Sequence, residues 1–489
     1  MNADETDNLS TAKIDASCRV PLLALFGGAA LWLVAGLVMS LLAIMTFHKP
    51  DMFADCPFLT YGRAQTAAND LLLYGFCIPA GLGVMLWIFA RLSRVELSLP
   101  LVPVAAANLW HLGVLIGVVA ILIGNSTGFG WLEFPRGSSV LLFAAFLLVA
   151  VSAAATFGAR SERELYPSHW FLLAALLWFP WIYATANLFL LAHHPVRGVA
   201  QAVIDWWFSN NLVFVWLALV GVGTAFYFLP KFAGRPLHSR LLALFAFWTL
   251  ILFGTWCGIP QGAPVPAWLP SASAVGSVLV AVPILAVAIV AFRTVWGCVA
   301  SRWSNSPFCF IGSSMDLFVL SSLMFIAMAC PQISRVTEFT WFGPAQVQLQ
   351  ILGFFGMVMF GAIYELLPRV MGFALPFPKL ARVQFWLNLL GVLLWAGALA
   401  VGGVEQGMKL QDGLPFADST SAVLPFLRAG TTGLLLVLAG ALLFALNIFV
   451  MTYKWKMALL KALVAAIKAP LEPGPDAVSL RHPEGEVKS

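Results

Sequence analysis

The chain has 489 residues, 61% of them hydrophobic and only 10% charged, with a mean hydropathy of +0.90. Soluble domains carry about 45–50% apolar and about 25% charged residues, so a soluble enzyme, a disordered chain and a nucleic-acid-binding domain are excluded. A net charge of +5 is small for this length, and the 27 basic residues read as membrane-topology markers rather than as a DNA surface.

A helix that crosses a bilayer needs roughly 20 apolar residues. Runs of that kind recur from residue 20 to residue 452 and predict twelve spanning helices, at about 20–47, 68–92, 100–124, 138–158, 168–192, 202–229, 238–258, 270–296, 307–330, 346–368, 383–402 and 426–452. The fold class is therefore an all-α polytopic membrane protein. It divides into an N-terminal segment 1–19, a twelve-helix domain 20–452, and an amphipathic segment with a disordered tail, 453–489. No stretch has the alternating pattern of an outer-membrane barrel.

Polar and partly acidic residues (Asp4, Glu5, Asp7, Asp15) precede the first run, which is too long for a signal h-region and reads as a retained helix. Seventeen basic residues, from Lys13 and Arg19 to Lys454, Lys456 and Lys461, fall on one side of the predicted topology. Seven fall on the other: Lys49, Arg63, Arg136, Arg197, Arg335, Lys409 and Arg428. This bias predicts an inner membrane protein with both termini in the cytoplasm. Lys454 to Lys468 reads as an amphipathic piece on the inner face, and the Pro- and charge-rich tail after Pro470 as disordered. The longest outer loop, about 403–425, carries Glu405, Lys409, Asp412 and Asp418 and reads as solvated.

The seven cysteines (Cys18, Cys56, Cys77, Cys257, Cys298, Cys309, Cys330) form no C-x-x-C and no C-x-x-C-H, so they read as small packing residues. There is no Walker loop and no GxGxxG at a strand–helix turn. No internal repeat is visible in the sequence.

Several stretches, in order and at similar spacing, resemble subunit I of the C-family haem–copper oxidases, the cbb-type terminal oxidases. WWFSNNLV (206–213) resembles the family's WWYGHNAV, and FYFLPKFAGRP (226–236) its YYF-PK-A-RP continuation. FWTLILFGTWCG (247–258) is similar to HFWALIF-Y-WAG, and GFFGMVMFGAIYELLPRVMG (353–372) to GW-GMITFG-LY-L-PRLWG. LTYGR (59–63) and WLEFP (131–135) resemble LSFGR and ELEWP. The resemblance implies the twelve-helix arrangement of oxidase subunit I. It also implies a low-spin haem held by histidines of helices two and ten, a high-spin haem held by the other histidine of helix ten, and a copper ion held by histidines of helices six and seven.

Carried over residue by residue, the haem-ligand positions fall on Ala68, Gln346 and Gln348, and the copper-ligand positions on Asn210, Pro260 and Gln261. No histidine lies between His238 and His482, so no shift of register restores those of helices seven to ten. Carboxamides are weak ligands for haem iron, and Asn, Pro and Gln make no useful copper site. The family's redox tyrosine has no counterpart either, since residues 241–270 contain no Tyr. The expectation is a chain without haem or copper. Asn210, Asn211, Gln346, Gln348 and Gln350 then tie helices six, seven and ten together by hydrogen bonds.

Ionisable residues inside spans are functional candidates. Asp70, read in the first turn of helix two where the macrodipole favours an anion, Glu365 and Asp316 are candidates for a proton or ion path or for structural anchoring. Asp205 reads as a cap of helix six. Glu133 of WLEFP resembles a position near a family calcium ion, but one carboxylate is no calcium site. His111, inside a predicted span, reads as a hydrogen-bonded histidine, with unusual axial ligation of haem as the alternative. His193 and His194 read as interfacial.

Three functions follow. The first is a non-catalytic, oxidase-subunit-I-like membrane subunit of a respiratory or electron-transfer complex, scaffolding membrane-anchored cytochrome c-type partners. The second is a proton- or ion-conducting or transport subunit that uses the emptied haem cavity. The third is a redox enzyme with unusual ligation or a quinol site.

Overall fold

The computed structural model describes residues 3–468. The tail after Pro470 and the side chains of Asp4, Glu5 and Asp7 lie outside the described residues. The major helices in chain order are α1 (Ala3–His48), α2 (Tyr61–Ser93), α3 (Leu101–Leu122), α4 (Arg136–Gly158), α5 (Pro167–Leu191), α6 (Val199–Ala233), α7 (Arg240–Gly254), α8 (Trp268–Thr294), α9 (Ser306–Ala329), α10 (Phe342–Met371), α11 (Pro378–Gln411) and α12 (Phe416–Lys468). Local signals set their ends. Ser239 Oγ accepts from Leu242 N at 3.1 Å to start α7, and Asn305 Oδ1 accepts from Phe308 N at 3.4 Å to start α9. Gly234 and Gly372, at φ of 64° and 78°, take the left-handed turn that ends α6 and α10.

Among the described residues, eleven of the twelve are long and apolar enough to cross a membrane. The exception corrects the predicted span 238–258: α7 has only fifteen residues. The chain leaves the helix at Thr255, and Pro260, Pro264 and Pro266 remove backbone donors from the segment that follows. The predicted outer loop 403–425 is also corrected. It is mostly helical, since α11 and α12 are joined by residues 412–415 alone, and Glu405 pairs with Lys409 at 3.4 Å inside α11. Lys454 to Lys468 continues α12 without a break.

Three helices form the centre. The apolar stretches of α2, α6 and α10 are 100%, 100% and 89% buried, against 39–61% in the other long spans. Each contains a π-helical segment, at Leu71–Cys77, Asn211–Trp216 and Leu349–Gly356, and each ends 22 residues after that segment begins, at Ser93, Ala233 and Met371. Gly83, Gly223 and Gly361 share one offset from the π start, and Arg91, Lys231 and Arg369 share another. The sequence reading found no repeat because only such isolated positions recur, while the residues between them differ.

Small residues let these helices interlock. The Phe354 ring of α10 sits where a side chain on Gly221 of α6 would project, Phe355 lies against Gly81 of α2, and Phe76 of α2 against Gly356 of α10. Around them Phe318 packs on Phe354 with centroids 4.4 Å apart, and Phe214 stacks on Phe325 at 4.5 Å. Arg91, Lys231 and Arg369 mark the basic end of this core. The starts of α2, α6 and α10, with the α3–α4 connection 124–135, mark the opposite, loop end.

Candidate functional site at the loop end of the central helices

The six positions singled out by the resemblance all fall at the loop end. Ala68, Asn210 and Gln348 each stand within one turn before a π segment, a placement common at functional sites. Ala68 is fully buried. Asn210 Nδ2 donates to Gly254 O at 2.8 Å, which ties α6 to α7, while its Oδ1 is buried without a partner. Asn211 donates to Trp207 O at 2.8 Å and accepts from Trp178 at 3.1 Å.

Gln346 Nε2 donates to Ser321 Oγ at 3.1 Å, and Ser321 Oγ donates to Gln350 Oε1 at 3.0 Å. The expected tie between helices six, seven and ten is thus corrected in part: the glutamines fasten α10 to α9, because Ser321 supplies the nearest hydroxyl. Pro260 and Gln261 follow α7. Gln261 Nε2 donates to Pro270 O at 2.8 Å, and the Gln261 and Gly262 backbone amides donate to the Glu338 carboxylate at 2.5 and 2.8 Å. Pro260, Gln261, Phe325 and Glu338 border a cavity of about 190 Å³.

Gln348 has a buried Oε1 without a partner and borders a second cavity, of about 360 Å³. Gln65 and Asn69 of α2, themselves joined at 2.9 Å, border it too, with Tyr61, Trp131 and Trp341. Open volume thus remains between Gln348 and the start of α2.

Next to this cavity lie three carboxyls. Asp70 is corrected: it is the tenth residue of α2, not in its first turn, because the helix starts at Tyr61. It is fully buried and neither oxygen has a hydrogen-bond donor, and Glu133 Oε2 is likewise buried without one. Burial pushes the Glu133 carboxyl, in the connection outside the spans, up to about 7. Asp205 is corrected as well. The helix begins six residues earlier, at Val199, so Asp205 caps nothing; its Oδ1 sits against Gly130 and is buried without a partner.

The connection 124–135 is fastened over these groups. Tyr74 OH donates to Trp131 O at 2.6 Å and Ser209 Oγ to Gly130 O at 3.0 Å, while Arg63 holds the end of α3 through Leu122 O at 3.1 Å. Trp131 has φ of 62°, a conformation costly for a bulky residue and held here by those bonds.

The remaining candidates stand apart. Glu365 pairs with Arg369 within α10, at the basic end. Asp316 of α9 pairs with Arg302 at 2.5 Å. His111 accepts from Trp32 Nε1 on Nδ1 at 3.2 Å and bonds Ala24 O through Nε2 at 3.2 Å, so both ring nitrogens are engaged with α1. His193 and His194 are exposed in the turn after α5. All seven cysteines are free, and Cys18, Cys77, Cys257 and Cys309 are buried. Sequence reasoning missed Tyr74, Gln65 and Asn69, which no motif marked. It also missed the convergence of Arg91, Lys231 and Arg369, whose only signal was their equal offset.

Comparison with known proteins follows the same course. The sequence profile of the family described as cytochrome c and quinol oxidase polypeptide I matches residues 20–436. The chain is 23% identical over 435 residues to the cbb3-type cytochrome c oxidase subunit CcoN1 of Stutzerimonas stutzeri, covering 87% of this chain and 92% of that protein. It is 26% identical over 358 residues to cytochrome c oxidase subunit 1 of Rhodobacter capsulatus, covering 70% of this chain and 67% of that one. A solved structure, described as a cryo-EM structure of a heme–copper terminal oxidase dimer, superposes with a TM-score of 0.76 at 16% identity, over 89% of this chain and 84% of that one. At that identity the likeness establishes the fold.

Proposed function

The chain belongs to the cytochrome c and quinol oxidase polypeptide I family, and within it we propose a non-catalytic membrane subunit of a respiratory or electron-transfer complex that holds membrane-anchored cytochrome c-type partners. One observation carries this reading. Ala68, Asn210, Pro260, Gln261, Gln346 and Gln348 stand where the resemblance puts histidine ligands. Asn210, Gln261 and Gln346 are engaged with Gly254, Pro270 and Ser321. The residues present do not fit a histidine-ligated haem or a copper ion: carboxamides and proline replace imidazoles, and both nitrogens of His111 are bonded to α1. No oxygen chemistry is therefore assigned to this chain.

The Stutzerimonas relative is named as an oxidase subunit, and a subunit needs partners, which supports a role in assembly. The excess of basic residues at one end supports a bacterial inner-membrane placement with both termini in the cytoplasm. The test is a reduced-minus-oxidised visible spectrum with metal analysis on the chain freed of its partners. The expected result is no haem band and no stoichiometric iron or copper, with cytochrome subunits co-purifying from membranes. Stoichiometric haem overturns the reading, and His111 is then the first residue to replace.

The carboxyl group of Asp70, Glu133 and Asp205 favours a second reading, a proton- or ion-conducting subunit. Asp70→Asn then alters ion flux in reconstituted vesicles while assembly persists, and unchanged flux counts against it. Glu365→Gln is the weaker probe, since Glu365 is already paired within its own helix.

A further inference from the structure

At the basic end, where α9, α10 and α11 meet, lies a cavity of about 650 Å³, at the opposite end of the core from Ala68, Asn210 and Gln348. Asn305 and Ser306 border it at the start of α9, Lys379 and Arg382 at the start of α11, and Val383 and Trp386 where α11 continues. Arg382 Nη2 donates to Ser304 O at 2.6 Å. Neither Lys379 nor Arg382 pairs with a carboxylate among the described residues, and no carboxylate borders the cavity. The acids of the adjoining helices are already taken, Asp316 by Arg302 and Glu365 by Arg369. The cavity thus carries two uncompensated positive charges.

Its position says what kind of anion completes it. Trp386 stacks flat on Trp303, 5.6 Å between centroids and 4° between planes, and both indoles are partly exposed, as in the aromatic belt of a membrane interface. From the cavity an exposed apolar stripe runs along α11 through Val383, Trp386, Leu390 and Leu394, at helical spacing on one face. Charges at one end of a long apolar track match a molecule with an anionic head and hydrocarbon tails. Free phosphate has no use for the track, and a zwitterionic headgroup brings its own cation against Lys379 and Arg382.

We infer that this cavity binds the phosphodiester headgroup of an anionic phospholipid, whose acyl chains lie along the α11 stripe. Basic pockets between spanning helices are suited to such headgroups.

The test is native mass spectrometry of the full-length protein, delipidated in detergent and titrated with phosphatidylglycerol, phosphatidylcholine or inorganic phosphate. Phosphatidylglycerol is expected to bind well above phosphatidylcholine. Lys379→Gln, a change at an exposed side chain with no hydrogen-bond partner in the fold, is expected to weaken phosphatidylglycerol about fivefold and leave phosphatidylcholine unchanged. Arg382→Gln is expected to act in the same direction, and Arg163→Gln, a cation outside the cavity, to have no effect. Inorganic phosphate at equal concentration is expected not to displace the lipid. Equal binding of the two lipids, or an unchanged Lys379→Gln variant, overturns the inference. Displacement by phosphate overturns it in favour of a plain anion site. Loss of lipid binding whenever a partner subunit is present assigns the groove to that subunit instead.

Discussion

The two ends of the central helices use polar residues in opposite ways. At the basic end the charges of these three helices have mates: Asp15 lies 3.6 Å from Arg91, Glu365 pairs with Arg369, and Lys231 bonds Tyr227. At the loop end the same three helices carry both oxygens of Asp70, the Asp205 Oδ1, the Asn210 Oδ1 and the Gln348 Oε1, all buried and without a conventional partner. Burial of polar atoms is costly unless they are paired. The basic end therefore reads as settled anchoring, and the loop end as the place where the fold tolerates cost at positions that match a family's metal ligands.

Proton binding at the loop end is expected to show the contrast most strongly. The folded value of Glu133, about 7, lies above its ordinary 4.5. Its contribution to stability is fully present below about 4.5 and is lost as pH rises through about 7. Each tenfold change in proton binding corresponds to about 1.4 kcal/mol. Hydrogen-exchange protection across 124–135, taken relative to the intrinsic base-catalysed rate, is expected to fall between pH 5 and 8 in the native chain, and Glu133→Gln to flatten that profile. A profile that is steep in both proteins would place the titration elsewhere, with Asp205 the next candidate.

A smaller effect is expected at the α6–α7 contact. Asn210→Ala removes the bond to Gly254 O and also the unpaired Oδ1, so the net loss is about 1 kcal/mol or less. Thermal unfolding in detergent measures it, and a loss of several kcal/mol would mean that Oδ1 has a partner after all. The smallest change is expected at the basic end. The Glu365–Arg369 pair lies within one helix and is partly exposed, so Glu365→Gln is expected to shift stability by about 0.5 kcal/mol or less. A larger shift would erase the contrast between the two ends.

Much of this was legible in the chain. Long apolar runs announce spanning helices because the bilayer leaves the backbone no other partner, and the motifs from LTYGR to MVMFG order them. What escaped has physical reasons. Hydropathy cannot see Asp70 leave the first turn, since Tyr61 to Ala67 are polar enough to read as loop and yet are helical. It cannot distinguish a loop from two helices that run past the apolar core, as α11 and α12 do around Gly413. Asp70 and Glu133 are far apart in sequence, and only folding the 124–135 connection over α2 makes them neighbours.

The shortness of α7 has a consequence for the lipid around the molecule. Fifteen residues at about 1.5 Å each span about 22 Å, several ångströms less than a hydrocarbon layer of about 30 Å. Leu241, Trp248, Leu252 and Trp256 are exposed on this helix and just beyond it, so lipid rather than protein meets the mismatch. A short span is met by thinning of the bilayer, by flanking side chains that reach the interface or by association with another span, so this flank is where membrane thickness bears most directly on the fold.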